Sequence, residues 1–114
     1  MKPSEVRAFI ESRTRLYQRE PVSDRQKCLT AGMLESCFSD DDANGATKKR
    51  RSVLKFLTGY DSMKNVPGQH VLALLDWLKP TRVDGVYEPS EQAVKDARAI
   101  VNAHLEAEGQ ERWV

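Results

Sequence analysis

Apolar positions recur at three- and four-residue steps along most of the chain, the spacing of helices that each bury one face. Val6, Phe9, Ile10, Leu16 and Tyr17 form one such stripe and predict a first helix over about 4–19, with Pro3 and Ser4 suited to its start and Pro21 to its stop. Ser23-Asp24-Arg25-Gln26 has the spacing of a capping box, with Val22 placed for a hydrophobic staple, so a second helix begins there. Leu29, Met33, Leu34, Cys37 and Phe38 give it a broad apolar side, and Gly32 in its middle would let another helix approach closely. Residues 39–46, Ser-Asp-Asp-Asp-Ala-Asn-Gly-Ala, read as a loop by composition. A third helix is expected over about 47–58, burying Val53, Leu54 and Leu57 and ending at Gly59.

After a turn over 60–66, the fourth helix, about 67–78, is the most apolar: Val71, Leu72, Leu74, Leu75, Trp77 and Leu78 make it the expected centre of the core. Lys79-Pro80 closes it. Val83-Asp84-Gly85-Val86-Tyr87 carries a hairpin signal on arms too short to stand alone, so a short β-ribbon or a plain loop is expected over 81–88. Val94, Ala97, Ile100, Val101 and Leu105 predict a last helix over about 89–108, stopped at Gly109 and followed by a tail that contains Trp113. The fold class is all-α, a compact bundle of about five helices in a single domain: an N-terminal helix (1–21), a central helical module (22–79), and a linker, last helix and tail (80–114).

Length agrees with one domain, at 114 residues, and 39% hydrophobic against 31% charged residues is polar for a globule but too apolar for disorder. No apolar run approaches the roughly 20 residues of a spanning helix, which excludes a transmembrane protein. The charged opening residues do not form a secretory signal, so a cytoplasmic location is expected. Cys28 and Cys37 are too few for a disulfide scaffold or an unaided four-ligand zinc site. Nine residues apart, they fall on opposite sides of one helix and read as small apolar residues.

Other chemistry is thin. His70 and His104 lie on different helices in no metal-binding or catalytic spacing. Asp40-Asp41-Asp42 lacks the alternation of a calcium loop and has Arg51 where its twelfth-position glutamate should stand, so it reads as a solvated acidic turn. No phosphate-binding glycine motif or nucleophile elbow is present. A non-enzyme without cofactor or metal is the expectation.

Charge patterning changes the picture more than the net charge of +1. Residues 28–46 contain four acids and no basic residue, whereas 47–60 hold Lys48, Lys49, Arg50, Arg51 and Lys55 and no acid. Four cations at a helix start oppose the macrodipole, and a bound polyanion would satisfy both them and the free N–H groups. Lys48, Lys49, Arg50, Arg51 and Lys55 are therefore the candidate phosphate-binding set, with Arg13, Arg15 or Lys64 as helpers. Arg51 and Lys55, four apart, share a face. The ordinary alternative is neutralisation by Asp40 to Asp42 just upstream. No base-reading helix is identifiable, so sequence-specific readout is not expected. The competing class is a protein-interaction module anchored by Trp113, Tyr87 or Phe56, since aromatics dominate interface hot spots. A third class is a homo-oligomer formed through the first helix's stripe.

Two segments carry a family resemblance. Thr58-Gly59-Tyr60-Asp61-Ser62-Met63-Lys64-Asn65-Val66, followed by Ala73-Leu74-Leu75-Asp76-Trp77-Leu78, resembles a helical module of the GemA-like regulatory family of Mu-type phages, similar to segments ending some phage recombination and single-strand annealing proteins. In those families a helix ends in Thr-Gly or Phe-Gly, a Ser-x-Lys-Asp/Asn-Leu/Val turn follows, and a helix closes on Leu-Ile/Leu-Asp-x-Leu. The preceding helix, 50–57, also fits, and the looser match extends back to Ser23, so about half the chain is covered. This sequence departs from the pattern at Pro67, where a capping threonine is common. The resemblance implies a phage or mobile-element setting and a small regulatory or accessory protein of DNA transactions without catalytic residues of its own.

Overall fold

A computed structural model describes residues 2–17 and 22–108, with Ala43 and residues 104–108 described in backbone only. Five helices and one hairpin follow in order: α1 (Pro3–Leu16), α2 (Asp24–Ser36), α3 (Ala43–Thr58), α4 (Gly68–Leu78), β1 (Thr81–Val83), β2 (Val86–Glu88) and α5 (Glu91–Glu108), with a 3₁₀ turn at Met63–Asn65 before α4. No helix among the described residues is long and apolar enough to cross a membrane.

The starts and stops have local causes. Pro3 occupies the first turn of α1, where a missing N–H costs nothing, and the Glu5 carboxylate accepts from the Lys2 backbone N–H at 2.9 Å. The capping box of α2 forms as expected: Ser23 Oγ accepts from the Gln26 N–H at 3.2 Å, and the Gln26 side chain accepts from the Ser23 N–H at 2.9 Å. Gly59 ends α3 in the left-handed conformation, φ +84°. Pro67 stands before α4 with no side-chain capping bond, as the missing threonine implies. Asp84 and Gly85 both have positive φ, the turn that matches strand twist in a two-residue hairpin. β1 and β2 pair antiparallel, with Val83 opposite Val86 and Arg82 opposite Tyr87.

α4 is central. Val71, Ala73, Leu74, Trp77 and Leu78 are buried on it, and α1 lays Val6 and Ile10 against it. The rest of the core comes from Met33, Leu34, Cys37 and Phe38, from Val53, Leu54 and Leu57, and from Ala93, Ala97, Ile100 and Val101. One buried polar contact ties the last helix in: Trp77 Nε1 donates to Asp96 Oδ2 at 3.1 Å, and Gln92 Nε2 donates to Asp96 Oδ1 at 2.9 Å. The Tyr17 hydroxyl donates to Asp76 at 2.6 Å and fastens the end of α1 to α4.

Four expectations are corrected. α3 begins at Ala43, not 47, because Asp42 caps it: Asp42 Oδ1 accepts from the Gly45 N–H at 2.7 Å. A Cβ on Gly45 would lie 2.9 Å from that same oxygen, so glycine there keeps the cap open. α1 ends at Leu16, which is 68% exposed instead of part of the buried stripe; Pro21 lies outside the described residues. The stripe of α1 is spent inside the chain against α4, which removes it as an oligomer surface. Leu29, expected in the core, is exposed on α2.

Gly32 lies mid-helix, and an added Cβ would meet nothing within 4 Å. Gly32→Ala is therefore expected to raise stability by about 0.5–1 kcal/mol through backbone entropy alone. Thermal denaturation followed by circular dichroism checks this.

Candidate nucleic-acid interface

The later helix start changes what the basic run can do. Lys48 is the sixth residue of α3, so the free N–H groups of the first turn belong to residues 43–45, and Asp42 already holds one of them. The basic run therefore begins in the second turn of α3, one turn beyond these N–H groups. The cations instead distribute around the helix.

Each aspartate of the acidic turn has its own structural task. Asp40 Oδ2 accepts from Arg98 Nη2 at 2.9 Å, while Arg98 Nε donates to the Cys37 carbonyl at 3.2 Å, fixing the turn to α5. Asp41 Oδ2 pairs with Lys49 Nζ at 2.6 Å, with only 24% and 13% of the two side chains exposed. Asp42 caps α3. Among the described residues no group of three or more His, Cys, Asp or Glu side chains could hold a metal ion.

Lys49 is thus neutralised within the fold, and Arg50 is half-buried on the flank of α3. Lys48, Arg51 and Lys55 remain, all exposed. At i, i+3 and i+7 they share one face, spanning roughly 10 Å along the axis at 1.5 Å per residue. Among the described residues none of the three has a carboxylate within ion-pair distance.

A further cation packs on another side of α3. The Arg7 guanidinium of α1 lies 5.4 Å over the Phe56 ring of α3, about 100° around the helix from Lys55, and makes a loose exposed pair with Glu11 at 3.5 Å. Only the packing of α1 on α3 reveals it. Phe56, expected as a partner anchor, is half-buried against the core beneath Arg7. The proposed helpers are scattered: Arg13 lies over Phe9 near the end of α1, and the Lys64 carbonyl accepts from Lys27 Nζ beside α2.

A second surface lies along the hairpin. Tyr87 is 43% exposed, and with Val86 and Gly85 it faces Arg25, Cys28, Leu29 and Gly32 of α2 across an open groove of about 610 Å³. Arg82 lies 5.9 Å over the Tyr87 ring. Trp113 falls outside the described residues, as does the side chain of His104. His70 meets the Tyr60 ring edge-on with 6.0 Å between centroids, and burial lowers its pKa.

Cys37 and Cys28 differ sharply. Burial pushes the Cys37 thiol up to about 11 despite the nearby charge of Arg98, and its Sγ donates to the Met33 carbonyl, whereas Cys28 is exposed. One thiol per native chain is expected to react promptly with a disulfide reagent, and the second only at the rate of unfolding. A spectrophotometric thiol count with and without denaturant checks this; two fast thiols would contradict the burial of Cys37.

No protein-family model, curated protein or solved structure matches the chain.

Proposed function

We propose that this chain is a non-catalytic accessory protein of DNA transactions, of the phage or mobile-element type, that contacts nucleic-acid phosphates through one face of α3. The observation that carries the reading is the row Lys48, Arg51 and Lys55: three exposed cations on one rigid helix, left without acidic partners when Asp41 takes Lys49. Cations held on a helix make a track for a phosphate backbone and supply affinity without base selectivity. The resemblance over residues 23–78 supports the setting.

Fluorescence anisotropy of labelled single-stranded and duplex DNA over a salt series tests it. The wild type is expected to bind at low salt with an affinity that falls steeply as salt rises. A variant with Lys48, Arg51 and Lys55 all changed to alanine should show a slope smaller by about 2–3 ions. Lys49→Ala should leave the slope unchanged. Absence of binding to either form at low salt would overturn the proposal.

A second reading, recruitment or inhibition of another protein, is favoured by a specific observation: Leu29, Val86 and Tyr87 are exposed together along the α2–hairpin groove. In that case neutralising α3 leaves partner binding intact and Tyr87→Ala abolishes it.

A further inference from the structure

We propose that His70 is an acid-sensitive latch: the neutral ring holds α1 against the end of α3 and the start of α4, and uptake of a proton loosens that junction. The proposal is independent of the cations on α3 and of the groove along the hairpin.

His70 is the third residue of α4, and its ring helps to line a cleft of about 180 Å³ where α1 meets the end of α3. Its Nδ1 is buried and has no hydrogen-bond partner among the described residues. The Tyr60 ring meets the imidazole edge-on, with 6.0 Å between centroids. Tyr60 is itself tied to the end of α3, since its backbone N–H donates to the Thr58 hydroxyl at 3.2 Å. Helix α1, the turn after α3 and the first turn of α4 therefore come together at one imidazole.

A neutral imidazole carries one N–H and one bare lone pair. With its proton on Nε2, the ring leaves only the lone pair at the buried position. The imidazolium donates from both nitrogens, so charging the ring places an N–H with no acceptor inside the junction and takes a positive charge out of water. The surroundings offer little relief. From α1 the cleft receives the Arg7 guanidinium, of like charge, and the Glu11 carboxylate, which is already paired with Arg7 at 3.5 Å. The end of α3 supplies Thr58, whose hydroxyl proton goes to the Leu54 carbonyl at 2.7 Å, and the turn supplies the neutral phenol of Tyr60. The first turn of α4 contains no acid. Burial accordingly lowers the His70 pKa from 6.5. A lowered folded-state value means that the neutral ring's contribution is complete above 6.5 and is lost as pH falls from there toward the folded-state value. Val6 and Ile10 in the core, and the Tyr17 bond to Asp76, still hold α1, so the loosening is local.

Amide hydrogen exchange of the full chain, resolved by segment and corrected for intrinsic rates, tests the proposal between about pH 7 and pH 5, the window in which an imidazole titrates. The wild type is expected to lose protection several-fold in α1 and across residues 59–70 as pH falls, while α2 keeps its own. His70→Gln should remove the pH dependence, and His104→Gln should leave it as in the wild type. The midpoint of the loss should coincide with the titration of the His70 ring protons followed by magnetic resonance, and that titration should lie below the ordinary histidine value. The last comparison needs only the wild type, so it decides the question even where His70→Gln fails to fold. Constant protection across this range, an equal loss in His70→Gln, or ring protons that titrate at or above the ordinary value would each overturn the latch.

Discussion

Replacing Asp96 with alanine is expected to remove about 3 kcal/mol of folding stability, a large share of what a domain of this size has. Asp96 is 2% exposed and accepts from both Trp77 and Gln92. Its loss strands the indole N–H of Trp77 inside the core, next to the space the carboxylate occupied. Asp96→Asn keeps an acceptor and should cost less. The pH dependence follows from the same site. Burial alone would raise the Asp96 pKa, but the hydrogen bonds it receives, those from Trp77 and Gln92 among them, hold it below the ordinary 3.8. A depressed folded-state pKa means that its contribution is complete above the unfolded value and is lost as pH falls below it toward the folded one. Urea denaturation at pH 7 and at successively more acid pH should therefore show the wild type and Asp96→Asn converging in stability in acid. Parallel curves would contradict the role given to the carboxylate.

Leu74→Ala is expected to cost about 2–5 kcal/mol, by lost transfer free energy plus the cavity left at the centre of α4. Leu29→Ala, the same chemical change on the solvent side of α2, should stay within about 0.5 kcal/mol of wild type. Leu74 is fully buried among the side chains of the core, and Leu29 is 38% exposed. Chemical denaturation of both variants at matched conditions gives the comparison, and equal losses would mean that α2 is packed with the wrong face inward.

These two leucines show where sequence reading succeeds. The run Val71 to Leu78 is apolar at every position but Asp76, and Val71, Ala73, Leu74, Trp77 and Leu78 are all buried. α2 alternates less cleanly, and Leu29 follows the helical stripe to within a turn without entering the core. Local chemistry was legible wherever neighbours supply it: the Ser23–Gln26 box, Gly59 as a left-handed stop and Asp84-Gly85 as a hairpin turn all appear as expected. The start of α3 was not, because Ala43-Asn44-Gly45 has the composition of a loop and becomes helical through one capping bond from Asp42. Asp96 was invisible for a related reason. A charged residue beside an apolar stripe reads as solvent-facing, and the bond it receives from the indole of Trp77, nineteen positions away, is a tertiary contact that no local pattern encodes.

The cationic face was half legible. Sharing of a face by Arg51 and Lys55 follows from spacing alone, and neutralisation of part of the run by the acidic turn is realised in one pair, Lys49 with Asp41. Removal of Lys49, the sideways placement of Arg50 and the arrival of Arg7 depend on how α3 is docked, which no local pattern encodes. What remains is narrower than the five-residue set that the sequence suggested: three cations in line on one helix.

The most direct measurement is a titration of isotopically labelled protein with a short DNA duplex, followed by backbone amide chemical shifts at low salt. Contact through α3 predicts that the largest shifts fall at Lys48, Arg51, Ser52 and Lys55, and that all of them fade as salt is added. Shifts centred on Leu29, Val86 and Tyr87, or none along α3, would contradict it.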